Sequence, residues 1–360
     1  MIVNDFLNII GKLAPPDLAA DWDNCGLQVG DPDRVVTHVA MALDAASHTV
    51  QKALDIGCQL LITHHPMIFR PIKRLSPQDP TCAPVFLAAS KNLAVISAHT
   101  NWDAVGVAQA LASKLELVAL SPLEDVGAPF SKLVVFVPPE HAKKVRLAAF
   151  EAGAGQIGDY PECFFQSSGL GGFSVPPWGK PFSGTPGKSH QTPEERLEII
   201  LPTALRGKID RAVRAAHPYE EPALEYYELT TFGHGFGLLG RWDPPRDPVS
   251  FLSSKLPSNG LWAGPIPSLV SSVALMPGSG GDYVTMAAKS GAQLLITGDV
   301  NHHQALTATE AGLTVFSAGH FETERPGLER LAQLIMAALA RLSEQIELTV
   351  LEEASPFRRL

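Results

Sequence analysis

Two adjacent histidines, His64 and His65, follow the apolar segment QLLIT (59–63) and precede Pro66. Imidazole nitrogens bind divalent metals such as zinc, but a single histidine after a buried strand is more often a structural residue than a ligand. Neighbouring side chains of an extended strand point to opposite faces, so both rings can serve one site only if the chain turns here. Pro66 is compatible with such a turn because proline ends strand pairing.

The letters QLLIT recur at 293–297, and the likeness extends to the strand that follows each copy. LAVISA (93–98) is followed by HTNWD, and LTVFSA (313–318) is followed by GHFETE. Both strands therefore lead into a His-x-x-x-carboxylate pair. These pairs are His99 with Asp103 and His320 with Glu324.

Equivalent strand ends in a duplicated core can face one shared crevice, which would gather these side chains into a single cluster with His99 close by. Imidazoles and carboxylates together suit a divalent ion such as zinc, iron or manganese. Because carboxylates can bridge, five such ligands can hold two ions about 3.5–4 Å apart. The predicted metal ligands are His64, His65, Asp103, His320 and Glu324.

Each of these residues also has a structural interpretation. His320 and Glu324 could form a surface pair, and Asp103 is well placed to cap the helix that follows it. Further polar residues of ITGDVNHHQAL either orient metal ligands or begin a surface helix. They are Asp299, His302 and His303.

Two other motifs carry weaker signals. MPGSGG (276–281) favours a tight turn over an anion cradle at a helix N-terminus. DWDNCGLQVG (21–30) resembles a packed polar loop, and its periodicity indicates no chemistry.

Strand and helix patterns alternate in the first third of the chain and again in the last third, which predicts an α/β core of two related lobes. The middle block has the order βαββαβ, which is typical of ferredoxin-like domains. We therefore predict a duplicated, two-lobed α/β core with an inserted ferredoxin-like domain. The predicted parts are core lobe 1 (1–127), the insert (128–234) and core lobe 2 (235–360).

The composition is that of a globular protein: 360 residues, 45% of them hydrophobic and 18% charged. A net charge of −9 without a basic cluster argues against nucleic acid as a partner. The four cysteines form no CxxC pair, which favours reduced thiols. The first residues favour an amphipathic helix over a signal peptide, and no window is apolar enough to span a membrane. We therefore predict a cytoplasmic protein.

The chain resembles a known family in five motifs. In order along the chain they are DWDNCGLQVG, LLITHHPMIF, SAHTNWD, LITGDVNHH and GHFETE. The family is that of the dinuclear-metal-centre hexameric proteins, which are related to yeast NGG-one-interacting factor three and are also called GTP cyclohydrolase 1 type 2 homologues. The resemblance covers almost the whole chain. The middle block resembles the PII/CutA-like insert of the longer bacterial members.

The resemblance implies a homohexamer with a centre of two divalent metal ions in each chain. It places the family's ligands on the five residues predicted above, with Asp103 and Glu324 as bridging carboxylates. His99 matches a histidine beside the metals, and we predict that it is catalytic and transfers protons. Glu322 adds a second carboxylate to GHFETE, which departs from the family's pattern.

The predicted function is metal-dependent hydrolysis of a small-molecule substrate. By resemblance that substrate is a nucleotide such as GTP, with a metal-activated water attacking a nucleotide ring or a phosphoester. Fold and metals do not by themselves determine a substrate. The alternative is a non-catalytic, metal-binding hexamer whose insert senses a ligand or docks a partner.

Overall fold

The two copies of QLLIT form inner strands of two sheets in the computed structural model of the protein. The structure describes residues 1–125, 130–157, 160–229, 234–256 and 260–357. The chain forms two compact units. The first unit is Met1–Val126 with His234–Leu360, and the second unit is Gly127–Gly233.

The helices and strands follow one another as the alternating patterns predict. The strands are β1 (Gly26–Val29), β2 (His38–Ala42), β3 (Leu60–Thr63), β4 (Ala94–Ser97), β5 (Val118–Asp125), β6 (Phe130–Val137), β7 (Phe165–Ser174), β8 (Ser189–Pro202), β9 (Leu224–Glu228), β10 (Gly235–Arg246), β11 (Leu261–Ala263), β12 (Val270–Met276), β13 (Leu294–Thr297), β14 (Thr314–Ser317) and β15 (Glu347–Val350). The helices are α1 (Val3–Leu13), α2 (Ser47–Asp55), α3 (Ala83–Ser90), α4 (Thr100–Trp102), α5 (Ala108–Lys114), α6 (Pro139–Glu151), α7 (Arg206–Ala216), α8 (Pro248–Lys255), α9 (Val284–Lys289), α10 (His302–Glu310) and α11 (His320–Arg341). A π-helical turn, Asp103–Val107, joins α4 to α5.

The first unit contains two sheets built around equivalent parallel triplets. One sheet has the order β1-β4-β3-β2-β15, and the other has the order β11-β14-β13-β12-β10-β5. Thr63 pairs with Ser97 at the end of one triplet, and Thr297 pairs with Ser317 at the end of the other. The shared register confirms the predicted duplication within an α/β fold.

Burial and one hydrogen-bonding pattern explain why QLLIT occurs twice. Every residue of β3 and of β13 is buried, as expected for strands covered on both faces. The glutamine that precedes each strand pairs with the backbone of the neighbouring strand. Gln59 Oε1 accepts hydrogen bonds from the backbone N–H groups of Thr37 and His38, and Gln293 Oε1 accepts them from Ser271 and Ser272.

The two sheets exchange their outer strands. β5, which precedes the second unit in the chain, pairs with β10, and β15, near the end of the chain, pairs with β2. Helix α11 follows β14 of one sheet, yet its buried side chains pack into the core of the other. Leu331 and Ile335 of α11 lie in one cluster with Phe6, Ile62 and Ile96. This crossing brings the start of α11 towards the end of β3.

The second unit has its own sheet and core. Its elements follow in the order β6, α6, β7, β8, α7 and β9, which is the βαββαβ order predicted for the middle block. The sheet order is β7-β8-β6-β9, with antiparallel neighbours throughout. Leu133, Val145, Leu197 and Val213 are among the residues that close the core between the sheet and its helices.

The state of the cysteines and the character of the helices can be compared with the sequence predictions. Cys25, Cys58, Cys82 and Cys163 are free thiols, in agreement with the prediction. Within the described residues, no helix has the length and apolar character needed to cross a membrane.

Candidate metal centre

His64 and His65 lie where the chain turns after β3. Their backbone N–H groups donate to the successive carbonyls of Ala42 and Leu43, at 3.2 and 2.9 Å. The Thr63 hydroxyl donates to the carbonyl oxygen of His65 at 2.8 Å. The chain is therefore no longer a regular strand here, and the two ring centroids lie 5.0 Å apart. This is the turn that adjacent ligands require.

The end of β3 meets the first turns of α11 in a tight cluster. His65 Nε2 and His320 Nε2 are 3.3 Å apart. Glu324 contacts both rings, with its Oε2 at 3.1 Å from His65 Nε2 and its Oε1 at 3.1 Å from His320 Nε2. These three residues present ligand atoms within 4.8 Å of one another, which is close enough for one metal ion.

His64 extends the cluster towards α4 and the π-helical turn. Its Nε2 lies 3.4 Å from Asp103 Oδ1 and 3.9 Å from Glu324 Oε1. His64, His65 and His99 form a second group whose ligand atoms are mutually within 4.8 Å. The structure thus brings together all six residues predicted for the site.

The alternative interpretations of these residues do not describe what the structure shows. The Glu324 side chain is 6% exposed and faces His64, so it is not part of a surface pair. Asp103 has helical backbone angles inside a continuous helical run, so it is not an N-cap. Its π-helical turn is a feature that is frequent at functional sites. The second carboxylate of GHFETE, that of Glu322, lies beside Gly319.

The remaining polar residues of ITGDVNHHQAL divide between the two suggested roles. Asp299 Oδ2 accepts a hydrogen bond from His320 Nδ1 at 2.6 Å, so it orients a predicted ligand. His302 and His303 are exposed at the start of α10. The N-cap of that helix is Asn301, whose side chain accepts a hydrogen bond from the backbone of Gln304.

Each histidine of the cluster is held through its other ring nitrogen. His64 Nδ1 donates to the Ala98 carbonyl at 3.0 Å, and His65 Nδ1 donates to Asp44 Oδ1 at 2.9 Å. His99 Nδ1 donates in the same way to Asp23 Oδ1, at 2.9 Å. This arrangement fixes the orientation of the rings and directs every Nε2 atom into the cluster, as is usual for metal-ligating histidines.

Neither Asp23 nor Asp44 is among the residues predicted from the sequence. Asp44 lies just beyond β2, the parallel neighbour of β3, and the carboxyl ends of adjacent parallel strands share one edge of a sheet. That rule could have identified it. Asp23 is in the loop before β1, where no periodic pattern indicates its contact with His99.

The electrostatics of the cluster follow from burial and from the close charges. Burial opposes ionisation of Glu324, but hydrogen bonds from His320 and His65 hold its pKa well below its usual range. Burial together with the charge of Glu324 raises the pKa of Asp103 well above its usual value. In the cluster, Glu324 is therefore ionised, whereas ionisation of Asp103 is disfavoured.

The three histidines nearest the carboxylates titrate far from an ordinary imidazole. Burial lowers the pKa of His64 to about 3, against the charge of Glu324. Burial also opposes protonation of His65, but hydrogen bonds to Asp44 and Glu324 raise its pKa to about 10. The pKa of His320 is raised to about 9 by Glu324 and Asp299, again against burial.

A metal ion fits these residues on two counts. His64 Nε2 is buried and has no hydrogen-bond partner, a costly state for a polar atom that coordination would relieve. The donor set combines imidazole nitrogens with carboxylate oxygens, which suits borderline divalent ions.

MPGSGG forms a turn that makes room for the cluster. Gly278 has a φ of +65°, and a Cβ there would collide with Glu324 Oε1. Its carbonyl oxygen accepts hydrogen bonds from the backbone N–H groups of Gly298 and Asp299, which come directly after β13. Close approach to Glu324, rather than anion binding, explains a glycine at this position.

The fold and the site together define an α/β protein with a histidine–carboxylate cluster at the carboxyl ends of its strands. Residues 1–356 match the family model Duf34/NIF3 (NGG1p interacting factor 3). The chain therefore belongs to the Duf34/NIF3 family.

Relatives support this membership along most of the chain. A GTP cyclohydrolase 1 type 2 homolog of Mycobacterium tuberculosis is 34% identical over 344 residues, 92% of this chain and 90% of that protein. The homolog of Bacillus subtilis is 34% identical over 324 residues, covering 88% of this chain and 87% of that protein. A solved structure, the Bacillus cereus protein related to NIF3, is 30% identical and superimposes with a TM-score of 0.77, covering 100% of this chain and 99% of that one.

Proposed function

We propose that the cluster binds two divalent metal ions and that the protein is a metal-dependent hydrolase. The observation that carries the proposal is the buried Nε2 of His64, which makes no hydrogen bond, among rings that are all held by their Nδ1 atoms. Side chains fixed in this way are prepared to bind an ion with little rearrangement. We assign zinc, iron or manganese to the site on the basis of its donors.

The two groups of ligand atoms suggest how two ions would share the site. His65, His320 and Glu324 form one group, and His64, His65 and His99 form the other. Asp103 Oδ1 lies 3.4 Å from His64 Nε2 of the second group. We assign Asp103 and Glu324 as the carboxylates that would serve both ions, as the resemblance implies. Two divalent ions supply a lowered pKa for water and an orientation for its attack.

His99 is the residue to which we assign proton transfer. Its ring centroid lies 5.2 Å from that of His64 and 5.5 Å from that of His65, so it borders the proposed ligands. The bond from its Nδ1 to Asp23 leaves Nε2 as the atom that can accept and return a proton.

We propose a nucleotide as the substrate, with hydrolysis at its ring or at a phosphoester. Support comes from the name of the curated relatives, GTP cyclohydrolase 1 type 2 homolog. We also propose that the protein acts as a homohexamer, which rests on the resemblance described above.

Metal analysis of matched histidine variants tests the centre. His302 and His303 form an adjacent, exposed pair that serves as the control for His64 and His65. We expect about two metal ions per chain in the wild type and in His302→Ala, and a clear loss in His64→Ala and His65→Ala, because each removes one imidazole ligand. Circular dichroism would show that the variants remain folded. Full metal content in both His64→Ala and His65→Ala would refute the centre.

A turnover assay separates catalysis from metal binding. The metal-loaded protein is incubated with nucleotides and phosphoesters, with His99→Gln as the comparison. We expect turnover by the wild type and a loss of about 10²–10⁴-fold in His99→Gln, the range for a general acid–base residue. If no compound is cleaved while two metals stay bound, the hydrolase assignment fails and the metal centre stands.

A cavity in the second unit favours a second candidate function, the sensing of a small ligand. Its volume is about 900 Å³, near the upper end of the range for small-molecule sites. Aromatic side chains and charges of both signs line it. They include Phe173, Phe182, Tyr219, Lys180, Arg196 and Glu194.

A thermal-shift screen with nucleotides and small metabolites tests this second function. The matched variants are Phe182→Ala, inside the cavity, and Phe165→Ala, on the neighbouring surface. A sensing role predicts a ligand that raises the unfolding temperature of the wild type and of Phe165→Ala but not of Phe182→Ala. An equal shift in both variants would contradict it.

A further inference from the structure

The loop DWDNCGLQVG is built into the wall of the metal centre. Asp23 holds His99 Nδ1 with one oxygen, and its other oxygen accepts a hydrogen bond from the Thr100 backbone at 3.0 Å. The Asp23 side chain is fully buried, and its hydrogen bonds anchor the loop to the start of α4. The side chains next to Asp23 in this loop therefore lie beside His99.

A second loop, which follows the ligand pair His64–His65, is fastened to the first. Asn24 Nδ2 donates to the carbonyl of Ile68 at 2.7 Å, and the Ile68 backbone N–H donates to Gln28 Oε1 at 3.2 Å. Asn24 Nδ2 also donates to Gln28 Oε1, at 3.1 Å. The polar residues of the motif thus join two loops that both begin at the cluster.

The joined loops expose two aromatic rings beside the cluster. Trp22 is 63% exposed and Phe69 is 50% exposed. Their centroids lie 5.8 Å apart, and each is within 6.4 Å of the His99 ring. Adjacent exposed aromatic side chains are typical of binding surfaces, and here the hydrogen bonds between the two loops hold the pair at the edge of the proposed metal site.

The same loop adds positive charge directly after Phe69. Arg70, Lys73 and Arg74 are exposed, and none of them forms an ion pair with another described residue. Aromatic faces stack on heteroaromatic rings, and unpaired basic side chains bind phosphates, so the two features fit a nucleotide.

We propose that Trp22 and Phe69 form the stacking surface for the planar ring of a nucleotide, and that Arg70, Lys73 and Arg74 bind its phosphate groups. This inference rests on the proposed function, because it places the substrate at the same metal site. It assigns specificity to residues that hold no metal and transfer no proton.

Binding measurements on the metal-loaded protein test the proposal by calorimetry, with GTP and inorganic triphosphate as probes. We expect Trp22→Ala and Phe69→Ala each to weaken GTP binding about tenfold, the effect of losing one stacking aromatic, while triphosphate binding is unchanged. Trp22→Phe should restore most of the affinity. Replacing the three basic residues by glutamine should weaken binding of both probes.

Phe165→Ala is the matched control, since Phe165 is 61% exposed and lies in the second unit. It should bind both probes as the wild type does, and every variant should keep its metal content. Wild-type affinity for GTP in Trp22→Ala and Phe69→Ala would overturn the proposal, as would failure of the wild type to bind GTP at all. A change of oligomeric state in these two variants would show that the aromatic pair is instead a contact between copies.

The outcomes also separate this inference from the proposed function. Trp22-dependent binding of GTP without turnover supports the stacking surface and refutes the hydrolase. Turnover that is unchanged in Trp22→Ala and Phe69→Ala supports the hydrolase and refutes the stacking surface.

Discussion

His65 and His320 are separated by 255 positions in the chain, yet their Nε2 atoms lie 3.3 Å apart. Each ring is fixed by an aspartate on its far side, Asp44 for His65 and Asp299 for His320. The two imidazoles face each other, and both contact the same carboxylate, that of Glu324. The ligand atoms of all three residues lie within 4.8 Å of one another, close enough to contact a single ion.

The aspartates behind the rings should control metal affinity. We expect Asp44→Asn and Asp299→Asn each to weaken metal binding by about 10- to 100-fold, because the histidine loses the partner that fixes its tautomer. Titration of the metal-free variants with zinc in the presence of a competing chelator measures the change. Asp55→Asn is the control, since the exposed Asp55 side chain accepts a hydrogen bond from Gln51 within α2 and its substitution should leave the affinity unaltered.

Metal binding should release protons. In the metal-free protein His65 and His320 have pKa values of about 10 and about 9, so both rings are protonated at pH 7.5. A ligand imidazole must be neutral, so about two protons are displaced from these rings at that pH, and Asp103, whose pKa is raised, adds to the release. Metal affinity should rise with pH until these pKa values are passed, and fall as the pH is lowered. Calorimetry in two buffers of different ionisation enthalpy counts the protons, and an identical heat in both buffers would contradict the prediction.

Gly278 should be far less tolerant of substitution than an otherwise similar glycine. Gly278→Ala combines an unfavourable positive φ with a collision against Glu324, for a cost of about 2–4 kcal/mol. Gly291→Ala shares the positive φ but faces open space, so about 1–2 kcal/mol is expected. Denaturant unfolding of both variants measures the difference, and metal analysis should show a loss only in Gly278→Ala. Equal losses of stability would show that the collision is relieved elsewhere.

The glutamine of QLLIT should be structural. Gln59→Leu leaves the backbone N–H groups of Thr37 and His38 without their acceptor, which should cost about 1 kcal/mol because both groups are partly open to water. Gln51→Leu, on the exposed face of α2, should change the stability by no more than about 0.5 kcal/mol. Chemical unfolding of the two variants distinguishes them, and metal content should be the same in both.

Local patterns in the sequence were enough to predict the elements and the donor types of the site. The duplicated strands were recognisable because both copies are buried on two faces, and burial of that kind leaves a continuous apolar run. The βαββαβ order of the second unit was predicted from the succession of short strand and helix patterns, although its strand β7 is largely exposed. The candidate ligands could be identified because they directly follow buried strands of the duplicated core. They are His64 and His65 after one strand, and a His-x-x-x-carboxylate pair after each of two others.

Tertiary structure alone decided how these residues meet. Helix α11 leaves one sheet and packs on the core of the other, and this crossing carries His320 and Glu324 to His64 and His65. Which apolar face covers which sheet depends on the fit of side chains from distant segments, and no local period records that fit. The contacts of Asp23 with His99 and of Trp22 with Phe69 have the same origin. They join loops, whose positions are determined by the hydrogen bonds between them rather than by the pattern within either one.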